Sequence, residues 1–201
     1  MPSWGATDAD ESKPKYLTDA EKKLVFANAS GWVLEAGSES SRFTGNDNAD
    51  ADPEILVAIG DLSTSIGAAD ITEVEMITTT ADKSEGFTIS VRVRYNEAVD
   101  VVTTGGTPTL AVTNGNEGTG TGRGPHSLSY ASGTGTNELV FSLAIAAANA
   151  ATNADDVLSV GAQSIALNSG TIKDAAGTAS DASLVISSDA GTAAGTVTVT
   201  A

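Results

Sequence analysis

The chain of 201 residues contains no cysteine. Disulfide staples, thiolate metal sites and cysteine nucleophiles are therefore excluded. It has one histidine, so imidazole chemistry would have to run through His126 alone. Aromatic residues are 4% of the chain, which leaves few to spare for a stacking platform once a core is filled. Basic residues are scarce: 10 Lys and Arg stand against 26 Asp and Glu, a formal net charge of −16. The imbalance is evenly spread, since residues 1–70 and 71–201 each carry 13 acids and 5 bases. Such a field repels a polyanion, so no nucleic-acid partner is expected, and its plain reading is solubility, even in salty water. No apolar run approaches the roughly 18–20 residues that cross a bilayer as a helix, and no membrane partner is expected. The start, MPSWGATDADESKPKYL, has neither the basic stretch nor the apolar core of a secretory signal, so none is expected.

What fills the chain instead is Gly, Ala, Thr and Ser, a composition of short strands and many turns. Residues 1–70 read as a small mixed α/β arm and docking region. Residues 1–15 are polar and aperiodic, an extended arm. Its one large apolar residue, Trp4, suits an anchor on a partner surface or a fold-back onto its own domain, and the sequence leaves both open. Lys13 and Lys15 flank Pro14 and could meet an acidic partner or stand solvated. Thr18 with Glu21 three residues on is a capping-box pattern, predicting a helix over residues 19–28 with Leu24 and Val25 on its apolar face. Residues 32–34 read as a short strand, residues 35–53 as a loop, and Ile55–Ile59 as another strand.

From residue 71 the pattern turns to period two. Ile71–Thr80 is a plausible first strand. GFTISVRVRYN then puts Phe87, Ile89, Val91, Val93 and Tyr95 on a core face. Thr88, Ser90, Arg92, Arg94 and Asn96 fall on a solvent face. Thr107–Thr113 comes next, then a mobile glycine-rich loop, Asn114–Gly124, with His126 in glycine-rich surroundings just beyond it. In YASGTGTNELVFSLAI (Tyr130–Ile145), Leu139, Phe141, Leu143 and Ile145 point inward, with Glu138 and Ser142 outward. Val157–Leu167, Ser183–Ser187 and Thr196–Ala201 complete the strand candidates. Short strands at this spacing predict a mainly β fold, with an antiparallel β-sandwich over about residues 71–201.

Motifs that would carry chemistry are weak. GRGPHSLS around His126 offers no nucleophile elbow and no fixed acid, so no catalytic residue is expected. The glycine clusters lack the Lys-Ser/Thr ending of a phosphate loop and the strand–turn–helix setting of a dinucleotide site. Asp47, Asp50 and Asp52 in GNDNADAD alternate as calcium-binding oxygens do. They lack an EF-hand glutamate, though, and compete with a solvated Asn/Asp turn. Asp155 and Asp156 are a further acidic pair. No cofactor is expected.

Four separated stretches carry a resemblance: RYNEAVDV (Arg94–Val101), GTPTLAV (Gly106–Val112), YASGTGTNELVF (Tyr130–Phe141) and LNSGTIKDAAGTASD (Leu167–Asp181). In order and spacing they resemble the bacterial immunoglobulin-like repeat modules of large surface proteins, over about residues 71–188. Tyr95 stands where that pattern often has Phe, and Thr178 where Asn is usual. MPSWG, the KPK of the arm and GNDNADADPEILVAIG (Gly45–Gly60) resemble structural proteins of tailed phages of marine cyanobacteria. Together these resemblances imply an Ig-like domain on a non-enzymatic virion protein. Such a protein is made in the host cytoplasm and needs no export signal. Its implied role is capsid decoration, with the N-terminal region docked on the shell and the Ig-like domain projecting. The implied partners are the major capsid protein or other virion proteins, in many copies. A tail or neck location, and a bacterial surface adhesin or carbohydrate-binding module with weak glycan binding, are the alternatives.

Overall fold

The structure is a computed structural model that describes residues 13–37, 48–115, 124–148, 151–176 and 179–201. Trp4, Asp47 and most of the Asn114–Gly124 loop lie outside the described residues. The chain is mainly β. Its N-terminal part runs through helix α1 (Asp19–Lys22) and strands β1 (Val25–Asn28), β2 (Gly31–Leu34) and β3 (Glu54–Ala58). A short 3-10 turn, Leu62–Thr64, comes after them. Then come β4 (Ile71–Met76), β5 (Ala81–Asp82), β6 (Phe87–Val102), β7 (Thr109–Gly115), β8 (His126–Ser132) and β9 (Thr136–Ile145). The last elements are β10 (Val157–Ser159), β11 (Gln163–Ser164), β12 (Thr171–Asp174), β13 (Val185–Ile186), helix α2 (Ser188–Ala193) and β14 (Thr196–Thr200).

The helix expected over 19–28 is only four residues long. The capping box is present: Glu21 N–H donates to Thr18 Oγ1 at 3.3 Å, and Thr18 N–H donates to Glu21 Oε2 at 2.6 Å. The β1–β2 hairpin ends the helix. Val25 and Phe26 favour extended backbone, and Asn28 Oδ1 accepts from Ser30 N–H at 2.8 Å and Gly31 N–H at 3.2 Å. That Asx turn, with Gly31 at φ +137°, reverses the chain and pairs β1 with β2 from Val25↔Leu34 to Asn28↔Gly31. Two strand pairs outweigh the last turns of a short isolated helix.

Among the described residues, strands join in the order β3-β2-β1-β6-β9-β8-β7-β10-β14-β5, with β4 and β12 also paired to β6. The pairing expected to be antiparallel is mixed: β1 meets β6 in parallel through Ala27↔Glu97, and β14 meets β5 in parallel. The long strand β6 is the hub, carrying β4, β9, β12 and β1 along its length.

Two apolar clusters result. The larger takes Ile89, Val91, Val93 and Tyr95 from β6 with Leu110, Val112, Leu128, Leu139 and Phe141, among others. Phe87 and Leu143, expected inward, pack against it half-buried. The smaller holds Leu17, Val25, Ala27, Trp32, Leu34 and Leu62. The reading of residues 157–167 as one strand region divides at Gly161, φ +68°, into β10 and β11. Helix α2 was not expected; Ser187 caps it by accepting from Ala190 N–H at 3.1 Å. His126, placed by its sequence in a glycine-rich loop, begins strand β8 and is buried.

Phe141 is fully buried and meets Tyr130 edge-on with ring centroids 6.1 Å apart. Phe141→Ala is expected to cost about 3–5 kcal/mol, read as a lower urea midpoint at unchanged slope.

Candidate functional site: buried charge at the joint with the N-terminal strands

The face of β6 read as solvent-exposed is covered at Arg94 and Asn96, while Thr88 is exposed and Ser90 and Arg92 are half-buried. Cross-strand register sets Glu73 of β4 opposite Arg94, and Arg94 opposite Glu138 of β9, in one row across three strands. Glu75 stands opposite Arg92 in the next row. Opposite charges so placed attract directly. Arg94 Nη1 donates to Glu73 Oε2 at 2.6 Å, and its Nε donates to Glu138 Oε1. Its Nη2 lies 3.8 Å from Glu35, just past β2, and Arg92 Nη1 lies 3.3 Å from Glu75. Lys23, between α1 and β1, reaches Glu73 at 2.7 Å. Residues of the N-terminal part, Lys23 and Glu35, thus close over Arg94, which is buried. This corrects the outward placement of Arg94: the N-terminal strands occupy the space that solvent was expected to fill.

The charges nearly balance. Three cations, Lys23, Arg92 and Arg94, meet four carboxyls, Glu35, Glu73, Glu75 and Glu138. The surplus falls on Glu35, whose pKa is pushed up to about 7 by burial and then by hydrogen bonding and repulsion with Glu138, against the pull of Arg94 and Arg92. For Glu73 burial pushes upward, but Lys23 and Arg94 outweigh it and hold the carboxyl below its ordinary range. For Arg94 burial pulls downward and is overcome by Glu73 and Glu138, so the guanidinium stays charged.

A few residues along β6 the pairing changes. The β6–β9 register jumps from Arg94↔Glu138 to Val99↔Thr136, and Glu97 lies in that gap beside Ala27 of β1. Its carboxyl is fully buried, and neither oxygen has a hydrogen-bond partner. Two more acids lie nearby, the buried Asp174 and the exposed Asp70. Asn96 N–H donates to the Asp70 carbonyl at 2.9 Å, and Asp70 N–H donates to Asn96 Oδ1 at 2.7 Å. Asp174, the last residue of β12, pairs with Val99, and its Oδ1 accepts from Ala176 N–H at 2.6 Å. Burial, then the charges of Asp174 and Asp70, push the Glu97 pKa up to about 8. Burial also raises that of Asp174.

His126 Nε2 lies 3.1 Å from Thr152 Oγ1, both buried, near the buried Asp156. Burial lowers the His126 pKa, opposed by Asp156. Thr152 and Asp156 are fully buried, so this group joins β8 to the segment before β10 rather than facing a substrate.

Lys13 does not project as an arm residue. It is buried, and its ammonium donates to the Lys22 carbonyl at 2.6 Å, closing the C-terminal end of α1. Lys15 is exposed. Asp50 and Asp52 are not buried, and the Asn48 side chain accepts from Asp50 N–H at 3.0 Å as an Asx turn. Among the described residues no group of three or more acidic or imidazole side chains could hold a metal ion, and no helix is long and apolar enough to cross a membrane.

Sequence reading missed Glu35, Glu73, Glu75 and Glu97. The first strand's Glu-x-Glu beside the second's Arg-x-Arg was the available signal for the ladder. Nothing in the motif NEAV marks Glu97 as buried. Comparison with models of protein families, with curated proteins and with solved structures found no match.

Arg94→Met leaves buried carboxylates uncompensated and is expected to destabilise the fold by about 3–5 kcal/mol, measured by urea unfolding. Glu35 and Glu97 both bind their protons more tightly folded than unfolded. The stability they add is fully present below pH 4.5 and is lost as the pH rises through about 7 and about 8 respectively. In metal-free buffer the urea midpoint should therefore fall between about pH 5 and about pH 8.5, and less steeply in Glu97→Gln. A flat or rising wild-type profile would contradict this.

Proposed function

We propose that the chain is a non-enzymatic virion structural protein, a capsid decoration protein with an Ig-like β-sandwich formed from residues 71 onward and an N-terminal unit that docks on the particle. The observation that carries the docking part is β3. It ends the strand order, and among the described residues its outer edge pairs with no other strand. Ile55 on it is 52% exposed. An unpaired edge with an apolar side chain is a template for strand addition by another chain. The unit bearing it rests on a small apolar cluster and is clamped to β4 through Lys23 and to β6 through Glu35. A docking element held this way transmits load to the strands behind it. The motif resemblances support the choice of a virion over other assemblies. The proposed partners are the major capsid protein or another virion protein, present in many copies, so that weak single contacts add through multivalency.

Incorporation of the full chain into particles tests the reading. Ile55→Lys is expected to change stability by no more than about 0.5 kcal/mol, as an exposed substitution, yet to reduce incorporation several-fold. Deletion of residues 1–15 is expected to reduce it as well, with loss of the Lys13 contact monitored by circular dichroism. Incorporation unaffected by both changes would sink the docking role.

A further inference from the structure

Glu97 is fully buried, and among the described residues neither of its carboxyl oxygens has a hydrogen-bond partner. It also stands at the thinnest point of the joint. Strand β1 meets β6 through one register pair, Ala27↔Glu97. The two apolar clusters are separate: Ala27 belongs to the smaller, Tyr95 and Val99 to the larger. The hairpin is therefore held on the main strands by this pair and by the charge row that Lys23 and Glu35 join. The charged groups that act on Glu97 are both acids, Asp174 at the end of β12 and Asp70 ahead of β4. From the other sides β1 offers Ala27, and β9 spans the gap in register with the uncharged Asn137. Arg94, the nearest cation along β6, is engaged by Glu73 and Glu138. An ionised carboxyl buried without donor or cation is among the costliest features a fold can hold, so the seated joint calls for the protonated acid.

We propose that protonated Glu97 is a latch that seats β1 against β6, and that its ionisation lets the β1–β2 hairpin swing away from the main strands while those strands stay folded. An open hairpin gives the carboxyl water, and there it ionises in its ordinary range near 4.5; in the seated joint it holds its proton up to about pH 8. Opening is therefore rarest below pH 4.5, grows about 10-fold per pH unit between these two values, and levels off above the higher one. The open form remains a small part of the native ensemble, so complete unfolding still takes both parts together. Glu35, just past β2, titrates in the same joint, with Glu138, Arg94 and Arg92 acting on it, and its share has to be removed to read that of Glu97. The latch is a property of the joint and holds whatever the hairpin docks on.

Hydrogen exchange followed by mass spectrometry tests it on the full chain carrying Glu35→Gln, with protection corrected for the intrinsic pH dependence of exchange. Between about pH 6 and about pH 8.5, protection over Val25–Leu34 should fall at least about 10-fold. At the higher pH it should also lie at least about 10-fold below that over Leu139–Ile145, which opens only with the whole fold. Adding Glu97→Gln, which keeps the shape of the neutral acid, should hold the hairpin's protection constant within about 3-fold over the same range. Should that double variant not fold, Glu35→Gln with Asp174→Asn serves instead: with one repelling acid gone, Glu97 ionises at lower pH and the fall should shrink. The proposal is overturned by a hairpin as well protected as Leu139–Ile145, by a fall that survives Glu97→Gln, or by a fall unchanged in Asp174→Asn.

Discussion

The guanidinium of Arg94 is the constraint on which the rest of the structure depends. It lies in the middle of β6, the strand that carries most of the pairing, and it is nearly closed from solvent. Left alone there it would be untenable. Its partners come from β4, from β9 and from the turn after β2, so satisfying one charge fixes the relative placement of three separate parts of the chain. The apolar clusters supply the larger favourable term, as in any domain. They are indifferent to register, however, and the charge row is not. A one-residue slip of β4 against β6 would turn Glu73 and Glu75 away from Arg94 and Arg92.

The same logic explains why the N-terminal strands belong where they are. Their own cluster is built around Trp32 and a handful of aliphatic side chains, too small to stabilise an independent unit. Lys23 pairs with Glu73, and Glu35 lies against Arg94, so the hairpin completes a network that the main strands leave open. Further along β6, Glu97 marks the opposite situation, a carboxyl whose neighbours are acids. The joint thus combines one balanced set of charges with one unbalanced set, both on the strand that organises the fold.

Much of the strand plan was legible. The alternation from Phe87 to Tyr95 and from Leu139 to Ile145 needs one buried face, and those residues line or flank the larger cluster. The capping box at Thr18 was legible too, because its two hydrogen bonds are local. The hairpin beyond it was hidden, since the choice between helix and strand over Val25–Asn28 rests on pairing with β2 and β6. Helix α2 was hidden for a related reason: SDAGTA has no apolar period, and Gly191 is there because the backbone of Gly161 leaves no room for a Cβ. The candidate site was the least legible part. Arg94 looks like a solvent-facing residue until the chain that covers it is known, and Glu97 carries no local sign of burial. Lys13 reads as an arm charge because the carbonyl it bonds lies nine residues away.

The central claim is that the buried charge row makes the N-terminal strands and the main strand body one cooperative unit. Unfolding monitored by two probes tests it most directly. In a Trp4→Phe chain, Trp32 fluorescence reports the N-terminal hairpin and far-ultraviolet circular dichroism reports the strands as a whole. Coincident urea transitions are the expected result. Loss of the Trp32 signal at lower urea, with the strand signal intact, would contradict the account.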